Sequence, residues 1–175
     1  LEACPIKLAP TSSTTLQMAL GDALAIALME LNNFQANDFA KFHPGGSLGK
    51  NLISKVDDFL SSQKPQVTEN SSVRDVIISI SASRHGITVV TNEDQIIGVI
   101  TDGDLRRMLM KDEDVSKVLA KDIMSLHPKT IERNVLAKEA MKILKENNIG
   151  QLIVTENGKY FGIIDLHKLL DEGIN

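Results

Sequence analysis

Two short stretches carry residue types that could do chemistry. One is His43-Pro44-Gly45-Gly46-Ser47-Leu48-Gly49-Lys50. Its glycines and lysine suggest a phosphate loop, but G-x-x-x-x-G-K-[ST] needs glycine where Pro44 stands and a hydroxyl where Asn51 stands. The spacing G-x-G-x-x-G fails as well. What remains is an imidazole at the head of a rigid Pro-Gly-Gly turn. A histidine so placed is most often structural or exposed. The sharper reading is an acid–base group, because its ordinary pKa lies near working pH. The other stretch is Thr11-Ser12-Ser13-Thr14-Thr15, directly before an apolar run. Hydroxyls there either cap a helix or help its free N–H groups and dipole hold an anion such as a phosphate. Cys4 is the single cysteine, and His85, His127 and His167 lack metal-ligand spacing, so no metal site is expected. The three histidines read as surface or cleft residues.

The elements behind these stretches follow from periodicity. Leu16, Leu20, Leu24, Ala27, Leu28 and Leu31 recur at helical spacing, and Asn32-Asn33 stops the pattern. The helix is rich in alanine and is expected to be buried on most sides; the end of an incomplete domain would leave it exposed. Gln17, Gly21, Asp22 and Glu30 interrupt it, so it does not read as a membrane span. A second short segment, Ala36 to Phe42, leads into His43.

The last two thirds repeat. Shifted by 64 residues, the chain overlays on itself without a gap: Gly86 on Gly150, Val89 on Ile153, Gly98 on Gly162, Leu105 on Leu169. Each copy reads as a helix (apolar at 73, 76, 77 and 80 in one copy), then two short β runs around a polar turn, then a short helix. With a leading strand, each is a β-α-β-β-α unit of about 60 residues, and two such small units must share a core.

Composition narrows the function. The chain has 175 residues, 42% of them hydrophobic, a net charge of −4, 3% aromatics and no Trp. These values argue against a nucleic-acid or membrane-surface partner and against aromatic stacking platforms. One cysteine and no visible signal peptide fit a cytoplasmic protein. A first residue of Leu, opening in mid-pattern, suggests a fragment of a longer chain.

Closing the first copy, Gly98-Val99-Ile100-Thr101-Asp102-Gly103-Asp104 makes the repeat resemble a tandem pair of CBS domains, a Bateman module. The resemblance implies nucleotide or nucleotide-derivative binding in clefts between the copies, with Thr101 and Asp104 bonding ribose hydroxyls. A carboxylate suits two vicinal hydroxyls. The alternative is that both residues only cap a helix. The second copy departs from the pattern with Gly162-Ile163-Ile164-Asp165-Leu166-His167-Lys168, so one competent cleft is expected. Lys168 would there face a phosphate or a sugar carboxylate.

Glu2-Ala3-Cys4-Pro5, Leu8-Ala9-Pro10 with its hydroxyl run, Gly21-Asp22-Ala23-Leu24-Ala25 and His43-Pro44-Gly45-Gly46 occur in that order. They resemble the C-terminal end of the sugar isomerase (SIS) domain in D-arabinose 5-phosphate isomerases, the KdsD/KpsF/GutQ family, whose members continue into two CBS domains. The implied architecture is α/β (α+β): a SIS remnant over 1–54, then CBS units over 55–114 and 115–175. The implied reaction interconverts D-ribulose 5-phosphate and D-arabinose 5-phosphate without a cofactor, for Kdo and lipopolysaccharide synthesis. Its proton shift through an enediol needs a base and an acid. The resemblance assigns His43 and Glu2 to that site and Thr11, Ser12, Ser13 and Thr14 to substrate binding. It implies an adenine nucleotide or CMP-Kdo at the CBS pair and a homo-oligomer, dimer or tetramer. Most of the family's SIS domain would lie upstream, so this chain alone is expected to be inactive. The competing readings are a CBS ligand-binding module without chemistry and a plain dimerisation device.

Overall fold

The computed structural model describes residues 2–43, 46–111 and 114–175, with backbone alone at 47 and 48. The chain divides into two compact units, 1–44 and 45–175, ten residues before the boundary at 54 suggested by sequence.

The first unit holds α1 (Ser12–Leu31) and α2 (Ala36–Phe42). Asn33 ends α1 in a left-handed conformation (φ 50°), with Phe34 N–H reaching back to Met29 O at 2.9 Å and Asn33 N–H to Glu30 O at 3.1 Å, a Schellman-type stop. Phe34 and Phe42 then stack with ring centroids 6.4 Å apart. The expected burial of α1 is not met: none of its residues is buried, and Leu16, Leu20, Leu24 and Leu31 are all exposed. A single seven-residue neighbour helix cannot cover a twenty-residue apolar one. By length and composition α1 is also the one helix among the described residues able to cross a membrane, a test that the core helix of a soluble protein passes equally.

The second unit begins with α3 (Ser47–Ile53) and then builds the repeat. The first copy is β1 (Gln66–Thr68), α4 (Val73–Ser83), β2 (Ile87–Asn92), β3 (Gln95–Thr101) and α5 (Asp102–Leu109). After α6 (Ala120–Ile123) comes the second copy: β4 (Thr130–Glu132), α7 (Ala137–Glu146), β5 (Gln151–Glu156), β6 (Lys159–Asp165) and α8 (Leu166–Asp171). Both are β-α-β-β-α, as the repeat implied. In each copy the leading strand pairs parallel with the next, and the last two form an antiparallel hairpin. The hairpin turns carry positive φ at Glu93-Asp94 and Asn157-Gly158, the geometry of a two-residue type I′ turn. One joined sheet results, in the order β1-β2-β3-β6-β5-β4.

Strand alternation sends Val90 and Ile100 to a core under α4, and Leu152, Val154 and Ile164 to a core under α7. The opposite faces of the two halves meet through Ile87, Val89, Ile153, Tyr160 and Ile163. Strands buried on both sides explain why their sequences read as continuous apolar runs. The halves also exchange their leading segments. Val56 and Phe59, ahead of the first copy, pack into the core of the second. Ala120, Ile123 and Met124, ahead of the second, pack against the first. Where these segments cross the hairpins, a Cβ on Gly98 would lie 2.7 Å from Met124 Sδ, and one on Gly162 would lie 3.1 Å from Leu60 Cδ2. The repeated glycine is therefore a close approach of chain segments.

Candidate functional site

The N-terminal cluster is held together by Glu2. Its Oε2 accepts from Thr11 N–H at 2.6 Å, Thr11 Oγ1 at 2.9 Å and Ser13 N–H at 3.4 Å. Thr11 stands at the N-cap of α1, but its own side chain makes no cap bond. The cap is thus a carboxylate from nine residues upstream, where the sequence had suggested the hydroxyl run. The hydroxyls are turned elsewhere: Thr11 Oγ1 receives Ala3 N–H at 2.8 Å, and the hydroxyls of Thr14 and Thr15 donate to Thr11 O at 2.8 and 3.2 Å. Hydrogen bonds from the Ser13 side chain and from Thr11 hold the Glu2 carboxyl down at about 2, so it is an anion set against the positive end of a helix. Thr11, Ser12 and Thr14 also line a shallow open hollow of about 690 Å³. Nearby, the backbone N–H groups around the Cys4 thiol, that of Ala9 foremost, hold it below its ordinary pKa.

His43 caps the C-terminus of α2, its N–H bonded to Phe39 O at 3.1 Å and its ring 4.6 Å from that of Phe39. Pro44 and Gly45, which the sequence suggested as the turn that places it, lie outside the described residues. No hydrogen bond joins His43 to Glu2 among the described residues, so these two groups form no dyad within this chain.

The second unit carries two clefts in which the copies meet, and the 64-residue repeat relates one to the other. The first, about 420 Å³, is lined by Thr101, Ser125, Ile149, Gln151 and Ile153 among others. The second, about 520 Å³, has Asp165, Ser61 and His85 where the first has Thr101, Ser125 and Ile149. The exchanged segments supply the serines: Ser125 pairs through its backbone with Val99, and Ser61 N–H bonds Ile163 O at 2.9 Å. The floor of each cleft is thus built by the fold's own crossover.

Thr101 and Asp104 sit at the mouth of α5 in a capping box. Asp104 Oδ2 accepts from Thr101 N–H at 2.8 Å and from its hydroxyl at 2.6 Å, and Asp104 N–H reaches Thr101 Oγ1 at 3.3 Å. Asp104 Oδ1 accepts from Arg107 Nη2 at 2.6 Å and, at the limit, from Ser125 Oγ at 3.4 Å. Burial would raise the pKa of this carboxyl, which is 9% exposed; the bonds from Thr101 and Arg107 outweigh burial and lower it. Capping is therefore realised, with Thr101 facing the cleft and Asp104 behind it. Arg107, its side chain 69% exposed, occupies Asp104 Oδ1 from the solvent side.

Lys168 is not brought to Thr101. It stands on the second cleft, where its Nζ donates to Leu60 O at 2.9 Å. Of the histidines read as surface or cleft residues, His127 lines the first cleft, and His85 and His167 line the second. Sequence reasoning missed Ser61, Ser125, Arg84 and Gln151. Carrying the repeat register past the strands would have found the serines and Gln151, since Ser61 falls on Ser125 and Ile87 on Gln151, but not Arg84, which falls on Asn148. Gln151 Nε2 bonds Asp165 Oδ2 at 3.0 Å, tying a wall of one cleft to a wall of the other.

Comparison with known proteins agrees with this architecture. A CBS domain protein from Pyrobaculum aerophilum, complexed with AMP, superposes with a TM-score of 0.60 at 21% identity, over 66% of this chain and 89% of that one. Arabinose 5-phosphate isomerase KdsD of Pseudomonas aeruginosa is 44% identical over 177 residues, 99% of this chain and 54% of that protein. Its counterpart in Escherichia coli strain K12 is 37% identical over 176 residues, again 99% and 54%. The chain spans about half the length of the curated relatives it matches. The family model of the CBS domain matches residues 56–111 and 120–175. With two matches in tandem, an exchange of leading segments and paired clefts between the copies, the chain belongs to the CBS domain family.

Proposed function

We propose that this chain is the regulatory half, together with the end of the catalytic domain, of an isomerase that interconverts D-ribulose 5-phosphate and D-arabinose 5-phosphate. The observation that carries it is identity of 37–44% to arabinose 5-phosphate isomerases along 99% of the chain, first unit included. A regulatory module alone would leave the Glu2 and His43 segments unaccounted for. In the proposed site His43 carries a proton to or from the enediol, a task for which an imidazole can serve as either acid or base. Glu2 stays ionised and fixes the head of α1, so that Thr11, Ser12, Ser13 and Thr14 present polar groups to the sugar phosphate. Exposed α1 is then a core helix of the complete catalytic domain, in a cytoplasmic protein. The direct test is a chimera in which these 175 residues replace the matching stretch of the Pseudomonas aeruginosa isomerase. It should turn over ribulose 5-phosphate, and His43→Ala should lower kcat about 10²–10⁴-fold. An unimpaired His43→Ala chimera overturns the assignment.

The Thr101 cleft is proposed to bind a nucleotide. Ile87, Val99, Ile149 and Ile153 offer an apolar slot for a base, and Thr101 with Asp104 suits ribose hydroxyls. AMP in the Pyrobaculum aerophilum relative supports an adenine nucleotide; CMP-Kdo, an end product of the proposed pathway, is the other ligand to try. Binding would act on the isomerase by favouring one packing of the module over another, within a homo-oligomer.

A further inference from the structure

We infer that the second cleft, between Arg84-His85 and Lys168, is a site for a small hydroxylated phosphate, a sugar phosphate without a base. The two clefts share one backbone plan, yet their side chains have diverged in kind. The Thr101 cleft has an apolar wall of isoleucines, valine, leucine and proline, with His127 and Lys129 as its ionisable groups. At the repeat-related positions the second cleft has His85 for Ile149, Ser62 for Leu126 and Lys168 for Asp104. The apolar slot that would grip a base is gone, and Phe59, buried in the neighbouring core, is the one apolar side chain left in the lining.

What replaces it is a set of donors matched to a phosphate. Arg84 sits at the C-cap of α4 in a left-handed turn (φ 59°), and its guanidinium is exposed. Lys168 uses one of its three N–H donors on Leu60 O and keeps two. A guanidinium fork and an ammonium point charge lining one cleft suit a phosphate dianion. Two carboxylates, Asp165 and Asp171, share the lining with these cations. Asp165 already accepts from Gln151 Nε2 at 3.0 Å, His167 N–H at 2.8 Å and His167 Nδ1 at 3.3 Å. Asp171 remains as an acceptor for ligand hydroxyls, and the Ser61 hydroxyl, 2.5 Å from His85 Nε2, lies on the floor. The space, about 520 Å³, fits a five- or six-carbon phosphorylated sugar.

The test is calorimetric titration of the intact chain with ribose 5-phosphate, inorganic phosphate and adenosine. Ribose 5-phosphate should bind saturably, more tightly than phosphate, and adenosine should not compete with it. Arg84→Gln with Lys168→Gln should weaken it at least about tenfold, as loss of two charge-assisted contacts implies. Asp171→Asn, a milder change, should weaken it without weakening phosphate. Asp104→Asn, in the other cleft, should leave it unchanged. Hydrogen exchange should slow at residues 61–62, 84–86 and 166–168 on binding. No saturable binding, competition by adenosine, or equal affinity in the double variant with an unchanged melting temperature overturns the proposal. These outcomes are independent of whether the parent protein is an isomerase.

Discussion

The carboxylates of this chain act locally before they act on any ligand. Asp104 shows it best: one oxygen closes the capping box with Thr101 while the other holds Arg107. Replacing it with Ala should cost about 1–3 kcal/mol, read from the denaturant midpoint, because the charge-assisted bonds to a buried group are lost. The pH dependence has a definite sign. The folded pKa of Asp104 lies below its ordinary value of 3.8, so its contribution is fully present above about pH 4 and is lost as pH falls through the lowered folded value. Asp165 and Asp75 are lowered too and add to the same acid limb. Asp104→Asn should therefore flatten part of the acid loss of stability below about pH 4; an acid limb identical to the parent's would contradict that role. Gly98 tests packing instead of charge. A side chain there meets Met124 at Sδ, Cγ and Cβ, all within 3.1 Å, so the Met124 side chain must be displaced from its seat. Gly98→Val should destabilise by about 1–3 kcal/mol in the same unfolding experiment. The types of these residues stood in the sequence, including the choice between cap and ligand contact at Thr101. That Arg107 occupies Asp104, and that Glu2 caps α1, did not, because side-chain bonds across loops leave no periodic trace.

At the scale of elements, the exchange of leading segments is what makes two weak units into one module. The turn Val56–Phe59 is pinned to the second copy by Arg133. Its guanidinium bonds both Asp57 oxygens at 2.9 and 2.7 Å and Glu156 at 2.7 Å, and lies 4.1 Å over the Phe161 ring. Half-buried and bidentate, this network exceeds an ordinary surface pair. Arg133→Ala should lower the denaturant midpoint through both lost bonds and lost packing, and should speed hydrogen exchange at residues 56–59 more than in α4. Equal exchange in both segments would show that the turn is held by its apolar residues alone. The order of elements within each copy was legible from the repeat and from apolar spacing. The exchange was not: Val56 and Ala120 precede their copies in sequence, and nothing in periodicity says that each packs across the joint. The boundary near 54 has the same cause. Lys50 binds Glu172 through its side-chain oxygen at 2.9 Å, and Asn51 binds Gly173 O at 3.2 Å, contacts 122 residues apart in sequence that seat α3 with the CBS pair.

For the whole molecule, the structure divides a CBS pair from an N-terminal unit that we propose is the end of a catalytic domain. The CBS pair has a complete core of its own, while α1 displays an uncovered apolar surface and His43 has no acid–base partner from this chain among the described residues. Isomerisation of ribulose 5-phosphate by the 175-residue chain alone should thus be absent, whereas the chimera proposed above should be active. Turnover by the chain alone would mean that a site assembles between copies of it. Motif order made the CBS repeat readable, and the second copy's departure at Asp165 and Lys168 was legible too; that Ser61 and His85 join them in one cleft came only with the fold. The central claim is that the pair is a nucleotide sensor working through the Thr101 cleft. The most direct measurement is calorimetric titration of the chain with AMP, beside Asp104→Asn checked for an intact thermal transition. One saturable site per chain, weakened about 10–100-fold in the variant, is the predicted result. Absence of heat with AMP and with CMP-Kdo, or binding untouched by the variant, would contradict it.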